Sequence, residues 1–219
     1  MTLFEDLRAA CAEEWHDYTH HAFVEQLGDG TLPLPAFQDY LMQDYIFLIH
    51  FARANALAAY KSRTLEEIKG AADALTAILR ETDLHVALTR EWGIPTEDLL
   101  RAPEKQGTVA YTRFVLDSGQ LGDLLELSVA LAPCAIGYAE IGTRLAPLRA
   151  ARPDHPYAQW IDEYSGEDFQ QAARDAITRL DQLAERMLTP ARREELIEVF
   201  RTATRMETAF WQQALEIPA

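Results

Sequence analysis

The sequence predicts an all-α protein, a single-domain helical bundle over residues 1–219. Apolar residues recur at three- and four-residue steps through long stretches, the period of a helix with one buried face. No alternating β-branched run competes with that pattern. The breaks between stretches are short, and no linker, repeat, composition shift or low-complexity tract divides the chain. Of the 219 residues 48% are hydrophobic, enough for a full-sized core. Roughly eight to ten helices with short connections are expected.

The N-terminal segment MTLFEDLRAACAEEW begins the first helix, with Cys11 beside Ala9, Ala10 and Ala12. Gly28, Asp29, Gly30, Pro33 and Pro35 then break the chain. From Pro35 to Lys61, residues Phe37, Tyr40, Leu41, Tyr45, Leu48, Phe51, Ala54 and Leu57 keep the helical step. The next helix carries Ile68, Leu75, Ile78, Leu84 and Leu88. Thr64 is its expected N-cap, with Glu67 closing a capping box. Gly93 to Pro95, Pro103 and Gly107 interrupt again. LSVALAPCAIGYAEIG is strongly helical but holds Pro133, where a kink or a restart is expected. Further breaks fall at Pro153 to Pro156 and at Ser165-Gly166. Thr189 followed by Pro190 starts the last helix, ARREELIEVFRTATRMETAFWQQAL.

The formal net charge of -15 argues against nucleic-acid binding, which needs clustered Lys and Arg. It argues equally against an anionic membrane surface. No basic segment precedes an apolar run at the N-terminus, so no signal peptide is expected. No apolar stretch approaches the ~20 residues that span a bilayer. Two cysteines without an export signal point to a reduced compartment, the cytoplasm.

Cys134 follows Pro133. A free cysteine is often simply buried packing. A helix restarting at Pro133 would instead set the thiol in the positive field of a helix N-terminus, which favours thiolate. Tyr138 lies four residues on, on the same face. Nothing near Cys11 would activate it, and it reads as packing. Glu207 shares a face with Phe210 and Trp211. It is either paired with Arg201 or Arg205, or a carboxyl in an apolar pocket with a raised pKa, able to donate a proton. Asp44 lies in a nearly unbroken apolar stretch and needs a partner, either Arg53 or a ligand. Glu13 and His16 form one Glu-x-x-His step without the second that a di-iron site requires. His16, His20 and His21 read as a solvated cluster. No zinc spacing, phosphate loop or GxSxG elbow is present.

These residues resemble the TenA (thiaminase II) family. QDYIFLIHFARANALAAYK is similar to its QDxxxL…FARxxxLxxxK helix, and HAFVEQLGDGTLPLPAFQDYL to the stretch preceding it. PCAIGYAEIG resembles the cysteine-bearing helix of the cysteine-type branch. HPYAQWIDEYSGEDF and METAFWQQAL resemble two further family segments. Five separated motifs in order cover nearly the whole chain. The resemblance implies a haem-oxygenase-like helical fold without haem, a homotetramer, and no metal or other cofactor. It implies hydrolysis of 4-amino-5-aminomethyl-2-methylpyrimidine, or of thiamin, to the hydroxymethylpyrimidine, in thiamin salvage. By the same resemblance Cys134 is the nucleophile, Glu207 the proton-managing acid and Asp44 the carboxylate holding the ring nitrogens. Tyr111, Tyr138 and Tyr164 are pocket tyrosines, and Phe210 packs on the ring. Phe47 stands where tyrosine is common, so one pocket hydroxyl is missing.

Such chemistry needs a thiolate, a carboxyl that gives and takes protons, and aromatic walls for a flat ring. Two rivals share the helical reading. One is an oxidase related to di-iron or quinone-forming proteins, whose di-iron version lacks its second Glu-x-x-His here, and the other a transcriptional regulator, which lacks a basic recognition helix.

Overall fold

The computed structural model describes residues 2–216, without the side chains of residues 83, 84, 87 and 88. The expected apolar positions Leu84 and Leu88 therefore lie outside the described side chains. Eleven α-helices and no strand occur among the described residues. That exceeds the expected number because the first segment divides in two and a short helix precedes Pro103.

Helices α1 (Leu3–Ala10) and α2 (Ala12–Thr19) meet at Cys11, whose backbone leaves the helical region at φ -120° and ψ 36°. Thr2 and Glu5 form a capping box at the start of α1. Helix α3 (Ala22–Asp29) ends at Gly30, whose φ of 75° is left-handed and suits a residue without a Cβ. Then follow α4 (Leu34–Lys61), α5 (Leu65–Glu91) and the short α6 (Thr96–Arg101). Thr64 and Glu67 satisfy each other's backbone amides as expected, 3.2 Å and 3.1 Å apart. Helix α7 (Gln106–Leu121) leads to α8 (Leu124–Ala151), α9 (Ala158–Ser165), α10 (Glu167–Met187) and α11 (Pro190–Leu215). Thr189 caps α11 through the Arg192 amide, with Pro190 in its first turn, again as expected.

Pro133 neither ends nor restarts a helix: α8 runs through it and through Pro147. Proline costs the Val129 carbonyl its helical donor. Packing of α8 against α9, α10 and α11 overrides that loss. By length and composition α8 could cross a membrane, which amends the reading of the sequence alone. Two thirds of its most apolar window, 67%, is buried inside the protein, as befits a central core helix.

Around α8 lies an aromatic core. Trp15 stacks on Phe200 at 5.6 Å between ring centroids, and Trp211 on Phe23 at 4.8 Å. Cys11 is fully buried against α11, 3.7 Å from the Ile197 carbonyl, as a packing residue should be.

Candidate active site

Six helices converge on one enclosed group of side chains. Tyr40, Asp44 and Phe47 come from α4, Glu81 and His85 from α5, and Tyr111 from α7. Helix α8 supplies Cys134 and Tyr138, α9 supplies Tyr164, and α11 supplies Glu207, Phe210 and Trp211. Every site residue expected from the sequence is buried here, except that Cys134 keeps part of its surface accessible. Cys134 lies about a third of the way along α8. Tyr138 and Tyr164 lie 4.9 Å apart on one side of the group. On another, Phe47 packs on Tyr111 at 4.9 Å and on Phe210 at 5.6 Å. Phe47 thus contributes an aromatic face and no hydroxyl.

Glu207 is 1% exposed and pairs with neither arginine considered from the sequence. Arg201 and Arg205 both reach Glu14 instead, at 2.6 Å and 3.5 Å. The partner of Glu207 is the Tyr111 hydroxyl, which donates to Oε1 at 2.8 Å. Burial pushes the carboxyl up to about 8, against a smaller lowering by Tyr111, and Asp44 raises it further. It therefore holds its proton at neutral pH.

Asp44 does not pair with Arg53, which is exposed and turned to His50. Its Oδ2 has no hydrogen-bond partner among the described residues, although His85 Nδ1 lies 3.4 Å away. The Leu41 carbonyl lies 2.8 Å from His85 Nε2 and can only accept, so Nε2 carries the ring proton. Burial also holds His85 below its ordinary pKa, keeping the ring neutral. Nδ1 then turns a lone pair toward Asp44, and an ionised carboxylate there would face it unfavourably. The protonated acid relieves this conflict. Burial raises Asp44 to about 7, opposed by a hydrogen bond from Tyr40.

The thiol of Cys134 is not activated by a helix end, because it sits within α8 and not at its start. Burial pushes its pKa well above the usual thiol value, and Glu207, Glu81 and Asp44 add to the rise. The sulfur is therefore a thiol at neutral pH and needs a base.

Sequence reasoning missed Glu81, His85, Tyr40 and Trp211. Glu81 follows Ile78 by three residues and precedes His85 by four, so both polar groups interrupt the apolar face of α5. The same signal identified Asp44 on α4. Tyr40 is a hydroxyl hub: it accepts from Trp160 Nε1 at 3.2 Å and bonds Tyr138, Tyr164 and Asp44. No lysine or arginine contributes to the shift of Asp44, Glu81 or Glu207. Among the described residues no group of three His, Cys, Asp or Glu is arranged to hold a metal ion.

A protein of Silicibacter sp. TM1040, described as a TenA family transcription regulator, superposes with a TM-score of 0.94 at 45% identity. The match covers 98% of this chain and 97% of that one. An aminopyrimidine aminohydrolase of Halalkalibacterium halodurans is 37% identical, over 91% of this chain and 89% of its own. A Shewanella denitrificans domain with a heme oxygenase-like fold, only 12% identical, matches at a TM-score of 0.78 over 97% of this chain and 92% of its own, and shows the fold alone. The TENA/THI-4/PQQC family model matches residues 8–217, and the chain belongs to that family.

Proposed function

We propose that this chain is an aminopyrimidine hydrolase of thiamin salvage, acting on 4-amino-5-aminomethyl-2-methylpyrimidine or thiamin through Cys134. The observation that carries this reading is the charge of the pocket: three inward-facing carboxyls and a thiol within aromatic walls, with no lysine or arginine among them and His85 held neutral. Such a site suits a flat cation. The ammonium of the aminomethyl compound and the thiazolium of thiamin both qualify. Full-length relatives named for aminopyrimidine hydrolysis support the same substrate class.

The protonated Asp44 donates to a ring nitrogen while its other oxygen accepts from the ring amine. A bound cation lowers the pKa of neighbouring carboxyls, so the substrate itself generates the carboxylate that takes the Cys134 proton. Sulfur then bonds to a ring carbon, and the ring electrons expel the exocyclic amine as its C–N bond breaks. The cationic substituent leaves as neutral ammonia or thiazole, and Glu207, its carboxyl held by Tyr111, gives a proton to the ring as sulfur adds and regains one from the water that adds. Water adds to the methylene, the S–C bond breaks, and the ring regains aromaticity. The net change is amine plus water to alcohol plus ammonia, by covalent catalysis in easier steps. A cytoplasmic homotetramer, with neither nucleic acid nor membrane as partner, fits this reading. Tyr60, Leu65 and Leu121 stand exposed as surface that other subunits would cover.

The test is to incubate the purified chain with the aminomethylpyrimidine and identify the product by mass. Hydroxymethylpyrimidine and ammonia are expected. Cys134→Ala should abolish turnover, whereas Cys11→Ala should leave it within about threefold, because Cys11 is remote packing. Equal losses in the two folded variants would remove Cys134 as the nucleophile.

A further inference from the structure

The mechanism above uses Cys134, Glu207 and Asp44 and leaves one inward-facing carboxyl without a task. Glu81 lies on α5, and its one hydrogen bond among the described residues is from the Tyr164 hydroxyl to Oε1, at 3.2 Å. Unlike Asp44 and Glu207, Glu81 keeps part of its surface accessible, as Cys134 does. Its charge acts on the Cys134 sulfur, and that of Asp44 acts on Glu81. Through Tyr164, whose ring lies 4.9 Å from that of Tyr138, Glu81 joins the same group of side chains as Cys134. For a pyrimidine held by Asp44 with a ring carbon at Cys134, Glu81 is the remaining carboxyl of this group free to meet the exocyclic substituent.

The titratable groups around Glu81 come from every side. They are Asp44 on α4, His85 one turn along its own helix, Cys134 on α8, and Glu163 and Tyr164 on α9. None of them is a lysine or arginine, and burial keeps His85 neutral. An ionised Glu81 finds its countercharge only in a ligand.

Building on the proposed function, we propose that Glu81 is the specificity-determining residue for the substituent on the pyrimidine methylene. It recognises a cation there, ammonium or thiazolium, and gives no such hold to the neutral hydroxymethyl product. One carboxylate thereby favours substrate entry and product departure. Burial, with Asp44 and Glu163 adding to it, pushes Glu81 up to about 8, so Glu81 is the acid at neutral pH. Arrival of a cation expels that proton to solvent, and arrival of the alcohol does not.

Calorimetric titration of the Cys134→Ala protein, with Glu81 intact or changed to Gln, tests this near pH 7 in two buffers of different ionisation heat. The ligands are the aminomethylpyrimidine and the hydroxymethylpyrimidine. The Gln change is expected to weaken the amine about 10- to 100-fold, the scale of a lost hydrogen bond to a charged group. Affinity for the alcohol should change less than about threefold. Release of close to one proton per amine bound should disappear. A carboxylate kept by Glu81→Asp should preserve the amine preference. Parallel weakening of both ligands in the Gln and Asp variants would make Glu81 structural and overturn the proposal, as would an unchanged amine affinity. If the parent protein binds neither pyrimidine, the substrate reading itself falls and the proposal with it.

Discussion

Glu207→Gln should make the protein more stable, by an amount that grows as pH rises from about 4.5 to about 8. The glutamine keeps the size of the side chain and an acceptor for the Tyr111 hydroxyl, which donates to Oε1 at 2.8 Å. It removes the ability to ionise. The folded-state pKa of about 8 lies above the usual 4.5, so the native protein binds more protons than the unfolded chain between those values. Stability linked to Glu207 is thus complete below about pH 4.5 and is lost as pH rises through 8. At about 1.4 kcal/mol per pH unit, the rise from 4.5 to about 8 corresponds to roughly 5 kcal/mol. Water drawn to the buried carboxylate relieves part of that cost, leaving an expected gain of at least about 2 kcal/mol for the variant near pH 9. For a chain of this length that is roughly 4–8 °C in Tm. Near pH 4, below both values, the two proteins should melt together. The assay is a pair of thermal melts at each pH, checked by urea titration. An equal gain at both pH values, or none near pH 9, would show that burial does not hold the proton on Glu207.

Two further variants probe the frame of the site. Tyr111→Phe removes the hydrogen bond that lowers Glu207, so the Glu207 pKa should rise above about 8 and the corresponding limb of the pH–rate profile should move to higher pH; a profile that keeps its position would break the link between Tyr111 and the acid. At Gly142 a Cβ would meet the Tyr164 carbonyl oxygen at 2.5 Å, so Gly142→Ala should push α9 outward, cost about 1–3 kcal/mol and raise KM more than it lowers kcat; an unchanged KM in a destabilised protein would show that Tyr164 is not placed by this contact.

The fold was legible because most helices carry an uninterrupted apolar period and conventional caps, as at Thr64 and Thr189. Chain breaks set by tertiary packing were less so. Pro133 is a strong local stop signal, yet its neighbours on α9, α10 and α11 hold α8 continuous through it. Conversely, the stretch around Cys11 has no breaker but divides into two helices. In the site, carboxylates amid apolar sequence announced themselves, and Glu207 and Asp44 both proved buried. Their partners did not, since sequence proximity favours Arg53, Arg201 and Arg205, whereas the actual neighbours, Tyr111 and His85, are distant along the chain. Glu81 was passed over because α5 is rich in exposed charge, and only the assembled bundle reveals which of its acids turns inward.

The central position of α8 has a consequence for how the protein is made. Its main packing partners α9, α10 and α11 all follow it along the chain, and α11 also packs against α1 and α2. Helix α11, the last of these partners, ends at Leu215, about 64 residues after Ala151. At about 5–20 residues per second, that is roughly 3–13 s during which the most apolar helix has emerged without its cover. For that interval a nascent chain displays a segment that, by length and hydropathy, the membrane-insertion machinery would read as a span. Chaperone capture at the ribosome is therefore expected to matter more for this protein than its finished surface suggests, and a transcript truncated near residue 151 should yield a product that is degraded or misdirected and not a partial fold.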